Sequence, residues 1–265
     1  MKIYITADIE GVTGVTNWSE TGYEHEGYPA ACEQMTVEVA AACRGALKAG
    51  ATEIWVKDAH GSGRNILIGK LPEEARLIRA WTDTPLSMVQ EIDGSFKALL
   101  FIGYHSPAGS DANPLAHTMS GAFNFIRLNG LTASEFLIAA YTAEYYRVPS
   151  VFVSGDKGLC DLAIQYNPAI KTVPTKEGRG EASINYHPNV VIKRIEESVE
   201  QALRGDLSQC FSSLPNHFTI DFGFKDHYLA KAKSFYPGAQ LIDPQTVRFE
   251  TDDYYEVLRV MHFLT

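Results

Sequence analysis

Basic tracts, paired cysteines and long apolar runs are all missing from this 265-residue chain, and each absence removes a class of function. Asp and Glu outnumber Lys and Arg by 32 to 23, for a formal charge of −9, which leaves no clustered cationic face for a phosphate backbone and argues against nucleic acid as a partner. The four cysteines, Cys32, Cys43, Cys160 and Cys210, are scattered without CxxC spacing. They read as small buried hydrophobes in a reducing compartment, not as disulfides or a cysteine zinc site. No run of ~18 apolar residues is available to cross a bilayer. The opening MKIYITADIEG lacks the apolar segment of about 7–15 residues that a secretory signal needs, so no membrane partner and a cytoplasmic location are expected. No GxxxxGK[ST] loop is present and no GxGxxG follows a strand, so nucleotide cofactors are unsupported. Ser106, Thr118 and Ser120 stand near histidines, but without a Gly-x-Ser-x-Gly elbow serine hydrolysis is a weak reading.

What is present is an ordinary globular composition, 45% hydrophobic and 21% charged, in a chain long enough to bury a proper core. Apolar and β-branched runs predict strands at Lys2 to Ala7, Glu53 to Lys57, Arg76 to Trp81, Ser95 to Tyr104, Phe123 to Leu128 and Val148 to Val153. Between them, Pro29 opens a helix that ends at Gly50, with Cys32, Met35, Val39, Cys43 and Ala46 as its inner stripe. A second helix runs from Ala133 to Tyr146, with Thr132 as its N-cap, and a third from Pro188 to about Leu203. The polar stretch KEGRGE at Lys176 to Glu181 reads as loop, and Ile66 to Leu71 as a short apolar segment. Alternating strands and helices imply parallel βαβ units and an α/β fold, a three-layer αβα sandwich with a mainly parallel sheet. From Gly205 the pattern changes to a strand, a helix, two short strands and a last helix from Asp253. The expected division is therefore a catalytic α/β domain of residues 1–205 and a small C-terminal α+β domain of residues 206–265.

Four strands stop on metal-capable side chains: Asp8 with Glu10, His60, His105, and Asp156. Open parallel sheets bind ligands beyond the carboxyl ends of their strands, so these tips converge. None of them is persuasive alone. An Asp-x-Glu pair is commonly a solvated strand end, and a lone histidine is more often a hydrogen-bonded loop residue than a ligand. Together, carboxylate and imidazole suit borderline divalent metals, zinc first and manganese or cobalt next. Asp156, in SGDKG, reads as a helix cap or a partner of a ligand. Glu135 is ambiguous, because Thr132-x-x-Glu135 has the spacing of a capping box, and on local grounds that role is preferred. His117, in PLAHTMSG, could serve as general acid or base beside a metal.

The set Asp8-x-Glu10-Gly11, Asp58-x-His60, Gly103-Tyr104-His105, His117-Thr118-Met119 and Glu135 resembles the zinc-dependent D-aminopeptidase family encoded with bacterial dipeptide-transport systems. The resemblance covers roughly residues 1–188, with further agreement at Ser87 to His105, Ser154 to Asp156, Lys176 and His187-Pro188. The loop between His105 and His117 and the segment Gly11 to Tyr28 depart most from it. It implies two zinc ions per chain, with Asp8 bridging them and Glu10, His60, His105 and Glu135 completing the two sites. It implies His117 as the catalytic residue, a short peptide carrying an N-terminal D-amino acid as substrate, and a homo-oligomer, a ring-paired decamer. Glu135 thereby changes from cap to ligand. Two readings compete: another metal-dependent amidase or phosphoesterase on the same residues, and a non-catalytic protein whose metal is structural. Dinuclear phosphoesterases usually show an Asp-x-His start and an Asn-His pair, and neither occurs here.

Overall fold

The computed structural model describes residues 1–265 and contains two sheets. The larger has seven strands in the order β3 (Ala75–Ile78), β2 (Glu53–Asp58), β1 (Lys2–Ala7), β4 (Ala98–Tyr104), β7 (Ser150–Asp156), β8 (Lys171–Arg179) and β9 (Ala182–Asn185). Every pairing is parallel except the β8–β9 hairpin. All residues of β4 and β7 are buried, which their near-continuous apolar runs require of central parallel strands. One face is covered by α1 (Tyr28–Lys48) and α4 (Pro188–Arg204), whose Met35, Val39, Ile195 and Val199 pack against Ile3, Ile5, Leu100 and Ile102. The other is covered by α2 (Glu135–Tyr145) and α3 (Lys157–Tyr166), through Phe136, Ala139, Ala140, Leu159 and Ala163 on Leu99, Phe101 and Val153. The three-layer α/β sandwich is thus the observed architecture. No helix is long and apolar enough to cross a membrane.

The second sheet is antiparallel, in the order β11 (Gln240–Asp243), β12 (Thr246–Thr251), β10 (Phe218–Phe224), β5 (Phe123–Leu128) and β6 (Leu131–Thr132). With α5 (His227–Lys233) and α6 (Tyr254–Leu264) it encloses a core of Phe218, Phe222, Val247, Val257 and Met261. Two of its strands come from residues 123–132, so a cut near residue 206 would separate β10 from the β5 strand it pairs with. Helix α2 joins the two units. Its Leu137, Ile138 and Tyr141 enter the second core while Phe136, Ala139 and Ala140 enter the first, and a helix packed on opposite faces is apolar all round.

KEGRGE is not a loop. Its first four residues finish β8, and Gly180, at φ +62°, turns the chain into β9. The charged composition concealed this strand because β8 pairs outward with an edge hairpin, where polar side chains reach solvent, while Lys176 is buried inward.

The order reverses beside β1: β2 lies on one side of it and β4 on the other. Such a switch point opens a crevice at the carboxyl ends of the strands. Here the chains leaving β1 and β4 run almost in contact. Gly11 N–H donates to Gly103 O at 2.8 Å. A Cβ on Gly11 would lie 1.8 Å from Tyr104 O, and one on Gly103, itself at φ +67°, 2.4 Å from Asp8 O. Glycine at these two positions brings Asp8 and Glu10 next to His105.

Candidate metal centre

Asp8 and Glu10 follow β1, His60 follows β2, His105 follows β4, and Glu135 is the first residue of α2. His60 Nδ1 lies 3.0 Å from Glu10 Oε2 and 3.3 Å from Asp8 Oδ1. His105 Nε2 lies 3.4 Å from Asp8 Oδ2 and 3.3 Å from Glu135 Oε2. Asp8 therefore turns one oxygen to each histidine. His117 Nε2 is 3.6 Å from Glu135 Oε1, and its ring stacks on that of His105 with centroids 4.3 Å apart. All six residues that the sequence singled out are brought together. Asp8, Glu10, His60, His117 and Glu135 line a cavity of about 440 Å³, with His105 buried beneath them.

The histidines are oriented by backbone carbonyls. Thr21 O accepts from His60 Nε2 at 2.9 Å, Ser106 O from His105 Nδ1 at 2.9 Å, and Leu115 O from His117 Nδ1 at 2.8 Å. In the neutral imidazole, the form that binds a metal, each bond assigns the proton to the nitrogen facing away from the carboxylates and leaves a lone pair facing them. A lone pair on His60 Nδ1 would meet a carboxylate oxygen of Glu10 at 3.0 Å, acceptor against acceptor. Burial would lower this imidazole, but the Glu10 and Asp8 carboxylates outweigh it and raise His60 well above its ordinary range, so that without a cation Nδ1 takes a proton. Glu10 Oε2 and His105 Nε2 are buried with no hydrogen-bond partner. Leaving such groups unpaired costs roughly 1–3 kcal/mol each, more when charged. A divalent cation held by nitrogen and oxygen at about 2.0–2.2 Å spaces tetrahedral donors about 3.3 Å apart and would satisfy every one of them. The donor set thus fits zinc.

The electrostatics carry the same strain. Burial, then the neighbouring Glu10 carboxylate, pushes the Asp8 carboxyl well above its ordinary range. Burial would raise Glu10 too, but the facing His60 and His105 imidazoles hold it well below. Burial alone would lower His105, yet the Glu135, Asp8 and Glu10 carboxylates outweigh it and raise the imidazole to about 10. Without a metal, protons must balance the carboxylates.

The capping box on Glu135 does not form. Thr132 is an exposed residue of β6 paired with Arg127, and the helix starts later, at Ser134, whose hydroxyl accepts from Leu137 N–H at 3.1 Å. Glu135 is consequently the first helical residue, not the third, and its carboxylate points into the cavity. There Oε1 accepts from Met119 N–H at 2.6 Å, with Met119 in the left-handed region at φ +64°. Asp156 lies outside the donor cluster. It caps α3 through Leu159 N–H at 2.9 Å and accepts from Ser106 N–H at 2.7 Å and Asn113 Nδ2 at 3.0 Å, which fixes the loop carrying His105.

Two supports add to these: Lys176, which the sequence marked only as a point of resemblance without a role, and Asn113, which it did not mark. Lys176 is fully buried and donates to Glu10 O at 2.5 Å and to Val15 O. Asn113 Nδ2 donates to the same Glu10 carbonyl at 3.2 Å. Neither has a spacing signal, because each acts on backbone that is remote in sequence. Trp18 and Trp81 also line the cavity, with Trp18 edge-on to His117 at 5.2 Å and Trp81 capped by Lys57 Nζ at 3.7 Å.

The profile of the peptidase M55 family, described as D-aminopeptidase, matches residues 1–263. A D-aminopeptidase of Bacillus subtilis (strain 168) is 27% identical over 267 residues, covering 100% of this chain and 97% of the relative. Among solved structures, the Zn-dependent D-aminopeptidase DppA from Bacillus subtilis, a self-compartmentalizing protease, superposes with a TM-score of 0.93 at 26% identity. That match covers 100% of this chain and 96% of the other.

Proposed function

The chain belongs to the peptidase M55 family of D-aminopeptidases, and on that premise we propose that it is a dinuclear zinc hydrolase releasing N-terminal D-amino acids, such as D-Ala, from short peptides. The observation that carries this reading is the pair of donor clusters on either side of Asp8. Glu10 and His60 would hold one ion, His105 and Glu135 the other, and Asp8 both. Bound zinc would polarise the scissile carbonyl and lower the pKa of an attacking water.

The remaining work falls to the chain's own groups. His117 presents Nε2 to the cavity, with Nδ1 held by Leu115 O, so it can accept a proton at Nε2 and return it to the leaving amine. Its ring is fixed between His105 and the edge of Trp18, which leaves little freedom to turn away. Asp83 is the cavity-wall carboxylate outside the donor clusters and would hold the substrate ammonium, giving an exopeptidase. A homo-oligomer, a decamer, belongs to the same proposal. Exposed Trp18, Tyr23, Phe235 and Phe263 supply apolar surface for it, and a light-scattering mass near 29.3 kDa would remove it.

The test is zinc content by elemental analysis together with hydrolysis of D-Ala-D-Ala against L-Ala-L-Ala. We expect two zinc ions per chain and preference for the D-peptide. No bound transition metal after zinc supplementation would sink the scheme, and preference for the L-peptide would leave a metallopeptidase without its D-label.

A further inference from the structure

A second cavity, of about 90 Å³, opens beside the metal centre and shares Ser87, Met88, Met119, Glu135 and His262 with the larger one. A water needs roughly 10–15 Å³ on this measure, so the space holds several waters or one branched side chain of similar bulk. Its walls come from the turn at residues 85–89, from α2 and from α6, and eight of its fourteen lining residues are hydrophobic, Ile138, Leu258 and Met261 among them. The deeper hydroxyls are already committed: Thr142 Oγ1 donates to Ile138 O at 2.8 Å and Thr265 Oγ1 to Met261 O at 2.8 Å. Away from the junction with the metal cavity, no side-chain hydroxyl has a proton left to donate, and only its acceptor lone pairs remain for a polar substituent. A polar side chain placed there would lose its water for little compensation, whereas an aliphatic one gains from burial.

We propose that this cavity is a substrate subsite that receives an aliphatic side chain of the peptide, of leucine or methionine size, from a residue flanking the scissile bond. The inference rests on the aminopeptidase reading above and adds a side-chain class to it. Glu135 ties the two spaces together, since the residue whose carboxylate faces His105 also lines the apolar cavity. Three of the chain's five methionines, Met88, Met119 and Met261, line the cavity, and their flexible thioethers let it fit side chains of differing branching.

Two measurements on the zinc-loaded protein separate this inference from the reading it rests on. In the first, methionine-methyl NMR follows titration with D-leucinol, which has no scissile bond, against D-alaninol. D-leucinol should move the Met88, Met119 and Met261 methyls and leave Met35, in the main core, in place. In the second, D-Leu-D-Ala and D-Ala-D-Leu are compared with D-Ala-D-Ala, and at least one should show kcat/KM higher by about tenfold or more, the discrimination that an apolar pocket gives a few methylenes. Ala139→Met, which projects into the cavity, should compress that ratio toward one, and Met261→Ala, which enlarges it, should move the preference to longer side chains. Cleavage of D-Ala-D-Ala with neither methyl shifts nor a leucine preference overturns the subsite and leaves the aminopeptidase standing. Methyl shifts without cleavage of any dipeptide keep the subsite and overturn the aminopeptidase.

Discussion

The two halves of the proposed metal centre are built differently. Glu10 and His60 come from strand tips that neighbour each other in the sheet, and the His60 side chain, 13% exposed, is held by a carbonyl of the loop before α1. His105 and Glu135 come from a strand tip and a helix start, are almost wholly buried, and are fixed by Ser106 O and by the left-handed Met119. Strand tips are placed by the sheet, whereas a helix start is placed by whatever sets its cap. The first half therefore depends on strand pairing and on the Lys176 and Asn113 side chains beneath the Glu10 backbone, and the second on a longer chain of packing that also joins the two sheets through α2.

Breaking what the halves share should have the largest effect. Asp8→Ala removes the oxygens facing both histidines, and we expect loss of zinc from both sites and a fall in turnover of at least about 10³-fold, read by elemental analysis and kcat. Changing one half at a time sharpens the comparison: His60→Ala and Glu135→Ala should each leave about one zinc per chain. If both variants lose all metal, the two halves are one site. His117→Ala comes next. With zinc content unchanged, turnover should fall about 10²-fold or more, the ordinary contribution of a positioned acid–base group, and unchanged turnover would remove His117 from the mechanism.

The same contrast explains what could be read without the structure. Alternating strands and helices give the parallel sheet directly, because each apolar run must lie between two helical layers. Asp8, Glu10, His60 and His105 follow from it, since each stands just beyond a strand whose end the apolar pattern marks. Glu135 did not follow locally. Thr and Ser lie two residues apart at Thr132 and Ser134, both able to cap, and only the pairing of Thr132 with Arg127 across β5 and β6 decides between them. The assignment of β5 and β6 to the second sheet was equally hidden, because their partner β10 lies about 90 residues later and strand pairing leaves no short-range mark. Lys176 was hidden by its charge: a lysine among Glu, Gly and Arg reads as solvent-facing until the carbonyls it serves are seen.

Acidity probes the buried half. Without metal the carboxylates around His105 raise its imidazole to about 10, so near neutral pH the ring carries a proton that zinc must expel. Binding then releases at least one proton, and zinc affinity should rise about tenfold per pH unit between pH 6 and 9, measured by competition with a chelator. Affinity independent of pH over that range would mean that His105 enters the site already neutral.

The smallest effect concerns the support beneath Glu10. Burial lowers the Lys176 ammonium from its ordinary 10.5 to about 8. Between these values the unfolded chain binds a proton that the folded chain has released, so stability rises with pH across the window; below about 8 both states are charged and the full cost of burial is present. At ~1.4 kcal/mol per pH unit the whole interval corresponds to about 3 kcal/mol, of which about 1 kcal/mol should appear between pH 8 and 9. Lys176→Met has no titration there, so urea unfolding of the two proteins side by side isolates the lysine: the native chain should gain on the variant by about that amount over that pH step. A difference that stays flat would mean that the ammonium remains charged beside the Glu10 carbonyl throughout, and that its hydrogen bonds to Glu10 O and Val15 O offset burial. The strand-tip half of the centre would then be held by a fixed charge under its backbone, and the contrast with the Glu135 half would be one of charge as well as of packing.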